Sequence, residues 1–284
     1  MKRTLLPLLL LLATTTATAQ VADQAYIAAS LTNGLPVELA LQTDSEGICA
    51  GYAYYRESQP EPLLVVGFWE EYPGEGDTES YHNIRLSEFQ PDGRLCGKYI
   101  IHLRQPAGQK ALIFCDAERT YAGPDGDAEE IGPLRGNNGA GEPRVESRMP
   151  GWFSTVEQPL QPATADDLGE IYEYITGESN GGFFELVIND DGTLYFEVTD
   201  MPVGHATASA TNDPDRLARL SGNVMEYPRV NDCGDTLRAT FFKLFAIVQT
   251  LQTPGPDHGC RAIDAAFIKK SYPDHEADID EDEE

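Results

Sequence analysis

The sequence predicts an all-β protein: two antiparallel β-meander domains, each a small barrel or sandwich, joined by an irregular linker and trailed by a disordered acidic tail. Three observations predict it. Turn-forming residues are dense, with 26 glycines and 19 prolines among 284 residues. The segments between turns are short and either alternate apolar with polar residues or are rich in β-branched and aromatic ones. Where a long apolar run offers a helix the chance to compete, at residues 236 to 251, its β-branched and aromatic content favours two strands instead.

The chain opens with Met1, Lys2 and Arg3, continues through an apolar run from Leu5 and reaches the small residues Ala17, Thr18 and Ala19. That is the pattern of a secretory signal peptide over residues 1 to 19, with cleavage near Ala19 and a periplasmic or secreted mature chain. The run is too short to span a bilayer. The first cysteine is Cys49, so no cysteine stands at the cleavage point to carry a lipid, and no membrane anchor is expected.

Residues 20 to 122 read as the first β domain. Asn33-Gly34 is a two-residue hairpin signal, and Val37, Leu39 and Leu41 alternate onto one face before the turn at Asp44 to Gly47. Strands follow at residues 48 to 55, 63 to 69, 81 to 89, 95 to 104 and 110 to 115. They are separated by Pro60 and Pro62, by the acidic loop of residues 70 to 80, by Pro91-Asp92-Gly93, and by Gln105 to Gly108. Residues 123 to 165 lose the alternation and read as an interdomain linker containing one apolar island, Met149 to Phe153, which suits docking onto a neighbouring domain. Residues 166 to 272 form the second domain. Its strands are expected at residues 183 to 188 and 193 to 198 around the Asn189 to Gly192 turn, then at 205 to 211, 217 to 227, 237 to 242, 245 to 250 and 262 to 269. Residues 273 to 284 are a like-charge acidic block that cannot pack.

The second domain resembles a group of uncharacterised secreted bacterial β-meander domains. The matching positions are Gly169, Tyr172, Tyr174, Asp191, Gly192, Leu220, Gly222, Asn223, Tyr227, Cys233, Cys260, Phe267 and Lys269; the sequence departs from the pattern at Arg261, after the second cysteine. The first domain is similar to another such group through Gly51, Tyr52, Tyr54, Gly67, Glu88, Gly97 and Tyr99. These resemblances imply the fold and export and bring no established activity.

The formal net charge is -27. Nucleic-acid binding needs clustered Lys and Arg, so no nucleic-acid partner is expected, whereas a cationic protein or a glycan would suit. Among five cysteines, Cys233 and Cys260 are expected to form a disulfide. Cys96 and Cys115 are candidates for a second, across a hairpin, leaving Cys49 as a buried thiol. Tyr52, Tyr54, Tyr55 and Trp69 are candidate ligand-groove aromatics, against a reading of them as barrel core. No Gly-x-Ser-x-Gly elbow, zincin motif or phosphate loop occurs, so no catalytic residue, cofactor or metal ligand is assigned. Ca2+ at the acidic loops has no motif behind it, because the Asn189 to Gly192 turn lacks alternate oxygen ligands and a closing glutamate. His82, His102 and His205 fall on strands, where a hydrogen-bonded histidine is usual. The expected function is a non-enzymatic binding or interaction protein. An envelope-glycan-acting enzyme using carboxylates and a structural envelope component are the alternatives.

Overall fold

In the computed structural model the described residues are 23 to 31, 33 to 74, 79 to 122, 128 to 135, 143 to 164, 166 to 168, 171 to 176, 180 to 189, 194 to 200, 208 to 211, 217 to 228, 230 to 252 and 263 to 269. The signal segment, His205, Cys260 with Arg261, Gly169, most of the Asn189 to Gly192 turn and the acidic tail lie outside them. The fold is all-β, in two antiparallel sheets of nine strands among the described residues.

The first sheet is a meander of β1 (Asp23–Ser30), β2 (Pro36–Thr43), β3 (Ile48–Tyr54), β4 (Leu63–Pro73), β5 (Glu79–Phe89), β6 (Leu95–Pro106), β7 (Ile113–Ala122) and β8 (Ala128–Pro133), each paired with its neighbour. Just past β8 the chain inserts between the first and seventh strands. Leu134 N donates to Ala117 O, and Ser30 and Arg135 exchange hydrogen bonds, so the eight-strand sheet is a nearly closed barrel. Strand β9 (Arg144–Glu146) pairs on the free side of β1.

The interior follows the two-residue period of the strands. Val37, Leu39 and Leu41 of β2, Val65 of β4, Ile84 and Leu86 of β5 and Tyr99, Ile101 and Leu103 of β6 point inward and belong to one buried cluster. Two inward positions are glycine because the backbone is crowded there. A Cβ on Gly51 would lie 1.9 Å from Ala40 O, and one on Gly67 1.9 Å from Arg85 O, so both positions admit no side chain without separating adjacent strands.

The segment read as an irregular linker is instead largely built into the fold. It supplies β8 and β9, then a 3-10 turn, Gly151–Thr155. Phe153 is buried against Tyr52 at 6.2 Å between ring centroids, and Trp152 meets Tyr54 at 5.2 Å and donates from Nε1 to Glu38 Oε2 at 2.6 Å. The apolar island therefore docks on the outside of the first barrel. Farther on, Ala163 N donates to Phe241 O and Lys243 N to Gln161 O, tying the strap to the second sheet. Its acidic and short strands carried no alternation to betray them; they are strands only because a barrel edge needed partners.

The second sheet holds β10 (Ile171–Thr176), β11 (Asn180–Ile188), β12 (Leu194–Asp200), β13 (Ala208–Thr211), β14 (Arg219–Ser221), β15 (Val224–Tyr227), β16 (Thr236–Phe241), β17 (Phe245–Leu251) and β18 (Ala265–Lys269). Its order, β13-β12-β11-β10-β18-β17-β16-β15-β14, is a meander whose first and last strands pair and whose break falls between β13 and β14. The sheet curls around aromatic rings. Phe184 of β11 reaches Phe241 of β16 at 5.4 Å, and Phe196 of β12 reaches Tyr227 of β15 at 5.0 Å. The expected single strand over residues 217 to 227 is a tight hairpin, with Ser221 paired to Val224 around Gly222-Asn223, where Gly222 has φ 61°. One hydrophobic cluster joins the two units, running from Ile48, Ala50 and Val66 on the outside of the first barrel into the second sheet's core.

Candidate functional site

The strongest concentration of chemistry lies on strands β5, β6 and β7 of the first barrel, on both of their faces. Inward, Glu88 is fully buried and Arg119 is 7 % exposed. Arg119 Nη2 donates to Glu88 Oε2 in a buried ion pair. Tyr55 OH donates to Glu88 Oε1 at 2.6 Å and Tyr99 OH to the same oxygen at 3.0 Å, with the two hydroxyls also in contact. The guanidinium carbon stands 5.7 Å from the Tyr55 ring centre and 5.6 Å from that of Tyr99. Burial, then the Glu88 charge, hold both phenols well above their ordinary pKa, so they stay protonated donors. Burial alone would lower the Arg119 pKa, but the Glu88 carboxylate beside it opposes this, the net direction is upward and the guanidinium stays charged. Gly97 makes room for this: a Cβ there would sit 2.8 Å from Arg119 Nη2 and 2.9 Å from Glu88 Oε2. The network is sealed from solvent and braces three consecutive strands.

At the barrel's other end, Trp69 Nε1 donates to His82 Nδ1 at 3.0 Å, which places the imidazole proton on Nε2. Burial lowers the His82 pKa; Glu71 and Asp23 oppose it less strongly. A folded-state pKa depressed below the unfolded value near 6.5 means that the native state resists a proton the unfolded chain accepts. Stability from this group is therefore full above pH 6.5 and is lost as pH falls below it. His82→Gln is expected to reduce the drop in urea midpoint between pH 7.5 and pH 5.5 (about the window the shift defines); an unchanged drop would assign the acid sensitivity elsewhere.

The outer face of β4 to β7 forms a ladder set by register. Glu70, Asn83, His102 and Asp116 stand side by side in one row, and Tyr72 and Tyr81 are directly paired in another. A β-bulge opposite His102 and Leu103 turns both Cys115 and Asp116 outward. His102 Nδ1 lies 2.5 Å from Asp116 Oδ1. Tyr72 and Tyr81 are exposed, at 48 % and 44 %. Tyr72 OH donates to Glu70 at 2.7 Å and Tyr81 OH to Glu79, and these carboxylates are held in turn by Arg85 at 2.8 Å and Arg104 at 3.5 Å. Hydrogen bonding to the carboxylate is the main cause raising each phenol's pKa. Both rings are thus tied at their hydroxyl tips while nearly half of each residue stays exposed.

The sequence-derived candidates do not assemble into one groove. Tyr52 and Tyr54 alternate outward and are covered by Phe153 and Trp152, with Tyr52 OH donating to Glu157 O at 2.8 Å. Tyr55 and Trp69 point into the barrel. The Cys96 to Cys115 disulfide is corrected: Cys96 is a buried free thiol whose Sγ lies 3.4 Å from Glu88 O, while Cys115 is exposed on the opposite face. Register separates them as well, because Gly97 pairs with Tyr121 and Leu103 with Phe114. Cys49 is buried and free, and burial raises its thiol pKa; burial and Glu88 lift that of Cys96 to about 12. Cys233 lies within the Asn231 to Gly234 turn that precedes β16, its N–H donating to Asn231 Oδ1 at 3.1 Å, and Cys260 lies outside the described residues. No group of three or more His, Cys, Asp or Glu among the described residues is arranged to hold a metal ion.

Sequence reasoning missed Arg119, Tyr72 and Tyr81. Arg119 lies beyond the expected end of its strand, and the tyrosines border the acidic loop, where their pairing depends on register. Compared with known proteins, the chain matches no family model, no curated protein and no solved structure.

Proposed function

We propose that this is an exported binding protein that captures a cationic partner, an arginine- or lysine-bearing protein segment, on the Tyr72 and Tyr81 face of its first barrel. The observation that carries the reading is the pair of exposed rings, each tied at its hydroxyl to a carboxylate and lying side by side on the sheet. A guanidinium or ammonium over such faces gains a cation–π contact, and rings already fixed lose little freedom on binding. The net charge of -27 draws a basic partner in from a distance and repels polyanions. Export rests on the basic, apolar and small-residue pattern of residues 1 to 19. A Cys233 to Cys260 disulfide, formed on export, belongs to the same reading.

The test is a calorimetric titration of the mature chain with oligoarginine, oligolysine and a neutral chito-oligosaccharide. Tyr72→Ala with Tyr81→Ala is expected to weaken oligoarginine binding about thirtyfold, as loss of two cation–π contacts of ~1 kcal/mol each implies. Equal binding by the double variant would reduce the interaction to diffuse charge attraction. Preference for the neutral sugar would make the rings a glycan platform instead.

A further inference from the structure

A recess lies on the same sheet, bordering the tyrosine face at Glu70, where the outer face of β4 to β7 meets β17, β18 and the residues just before β18. It encloses about 620 Å³. That is within the range of small-molecule sites, which favour boundaries between folded units. Its lining carries both signs of charge beside apolar side chains.

The first barrel contributes two cations, Arg85 and Lys98, and two carboxylates, Glu70 and Glu118. Arg85 is already paired with Glu70, whereas Lys98, two positions from it across β5 and β6, forms no ion pair with any described residue. The opposite wall contributes Asp264, whose Oδ1 accepts from Thr250 N at 3.1 Å and is thereby fixed in place. Between them lie Phe68, Ile100 and Leu251, the last two at 36 % and 40 % exposure, an apolar strip that water covers poorly. A ligand that satisfies all three elements has an anionic end for Lys98, a cationic end for Asp264 and an apolar body between. A molecule of zero net charge also escapes the long-range repulsion that a -27 protein imposes on anions. A purely cationic ligand would leave Lys98 opposed, and a purely anionic one would meet Asp264 unpaired.

We propose that this cleft is a binding site for a short zwitterionic peptide with an apolar side chain, its carboxylate on Lys98 and its ammonium on Asp264. The cleft shares Glu70 with the tyrosine face, since that carboxylate lines it and accepts from Tyr72, but its occupancy does not depend on the capture of a basic protein. It bridges the two units, so an occupied cleft also fixes β18 against β4.

Calorimetric titration of the mature chain with the dipeptide alanyl-leucine tests it, beside the N-acetylated and C-amidated forms of that dipeptide. The free dipeptide should bind, and blocking either end should weaken binding about tenfold or more. Lys98→Gln should remove the penalty for the C-terminal amide while leaving that for acetylation. Asp264→Asn, which keeps the oxygen that accepts from Thr250, should do the reverse. Absence of dipeptide binding to the wild-type chain overturns the proposal. Binding indifferent to both blocked ends, or unmoved by either substitution, overturns it too, by showing that the apolar strip alone makes the contact.

Discussion

Arg119→Met is expected to destabilise the first barrel by about 3–5 kcal/mol, because it leaves the Glu88 carboxylate buried without its counter-charge. Glu88 is wholly enclosed, and the two tyrosines donating to Oε1 leave Oε2 to Arg119 with only the weak Cys96 thiol beside it. Urea unfolding followed by tryptophan fluorescence measures the loss. Pairing Arg119→Met with Glu88→Gln should recover much of the stability, since the same cavity then holds no net charge. A single variant within about 1 kcal/mol of wild type would mean that water reaches Glu88 and that the brace is not sealed.

Gly67→Ala carries the other large effect, about 3 kcal/mol or more. The added methyl would stand 1.9 Å from Arg85 O, a backbone atom that no rotamer change can move aside, so β4 and β5 must separate. Gly151→Ala is the control, since a Cβ there meets nothing within 4 Å. It should change stability by no more than about 0.5 kcal/mol. Comparable urea midpoints for the two variants would contradict the crowding argument.

These two positions show which parts of the fold were legible in the sequence. Turns were, because Asn33-Gly34, Asp44 to Gly47 and Pro91-Asp92-Gly93 carry local chemistry that fixes the backbone without help from the rest of the chain. The strands flanking them followed from alternation, and the resolution of residues 236 to 251 into β16 and β17 followed from side-chain shape. Strands β8 and β9 did not follow, since their few residues have no alternation and are held by pairing with β7 and β1.

The site was less legible than the fold, for a related reason. Gly51, Gly67, Glu88, Gly97 and Tyr99 stand out by resemblance as turn and packing positions, and three of them turn out to belong to one buried polar network. What completes it is Arg119, from a strand expected to end at residue 115. Inward parity alone marks Arg119, and parity is unreadable across the bulge near residue 115, where two successive residues face outward. Tyr72 and Tyr81 are nine positions apart on either side of an acidic turn, and only the β4 to β5 register makes them neighbours.

The central claim is that Tyr72 and Tyr81 form a specific cation-binding face, and hydrogen exchange of the full mature chain with and without oligoarginine tests it most directly. Protection concentrated at the end of β4 and the start of β5 is the predicted result. Protection spread evenly over the acidic surface, or confined to strands remote from the tyrosine pair, would contradict it.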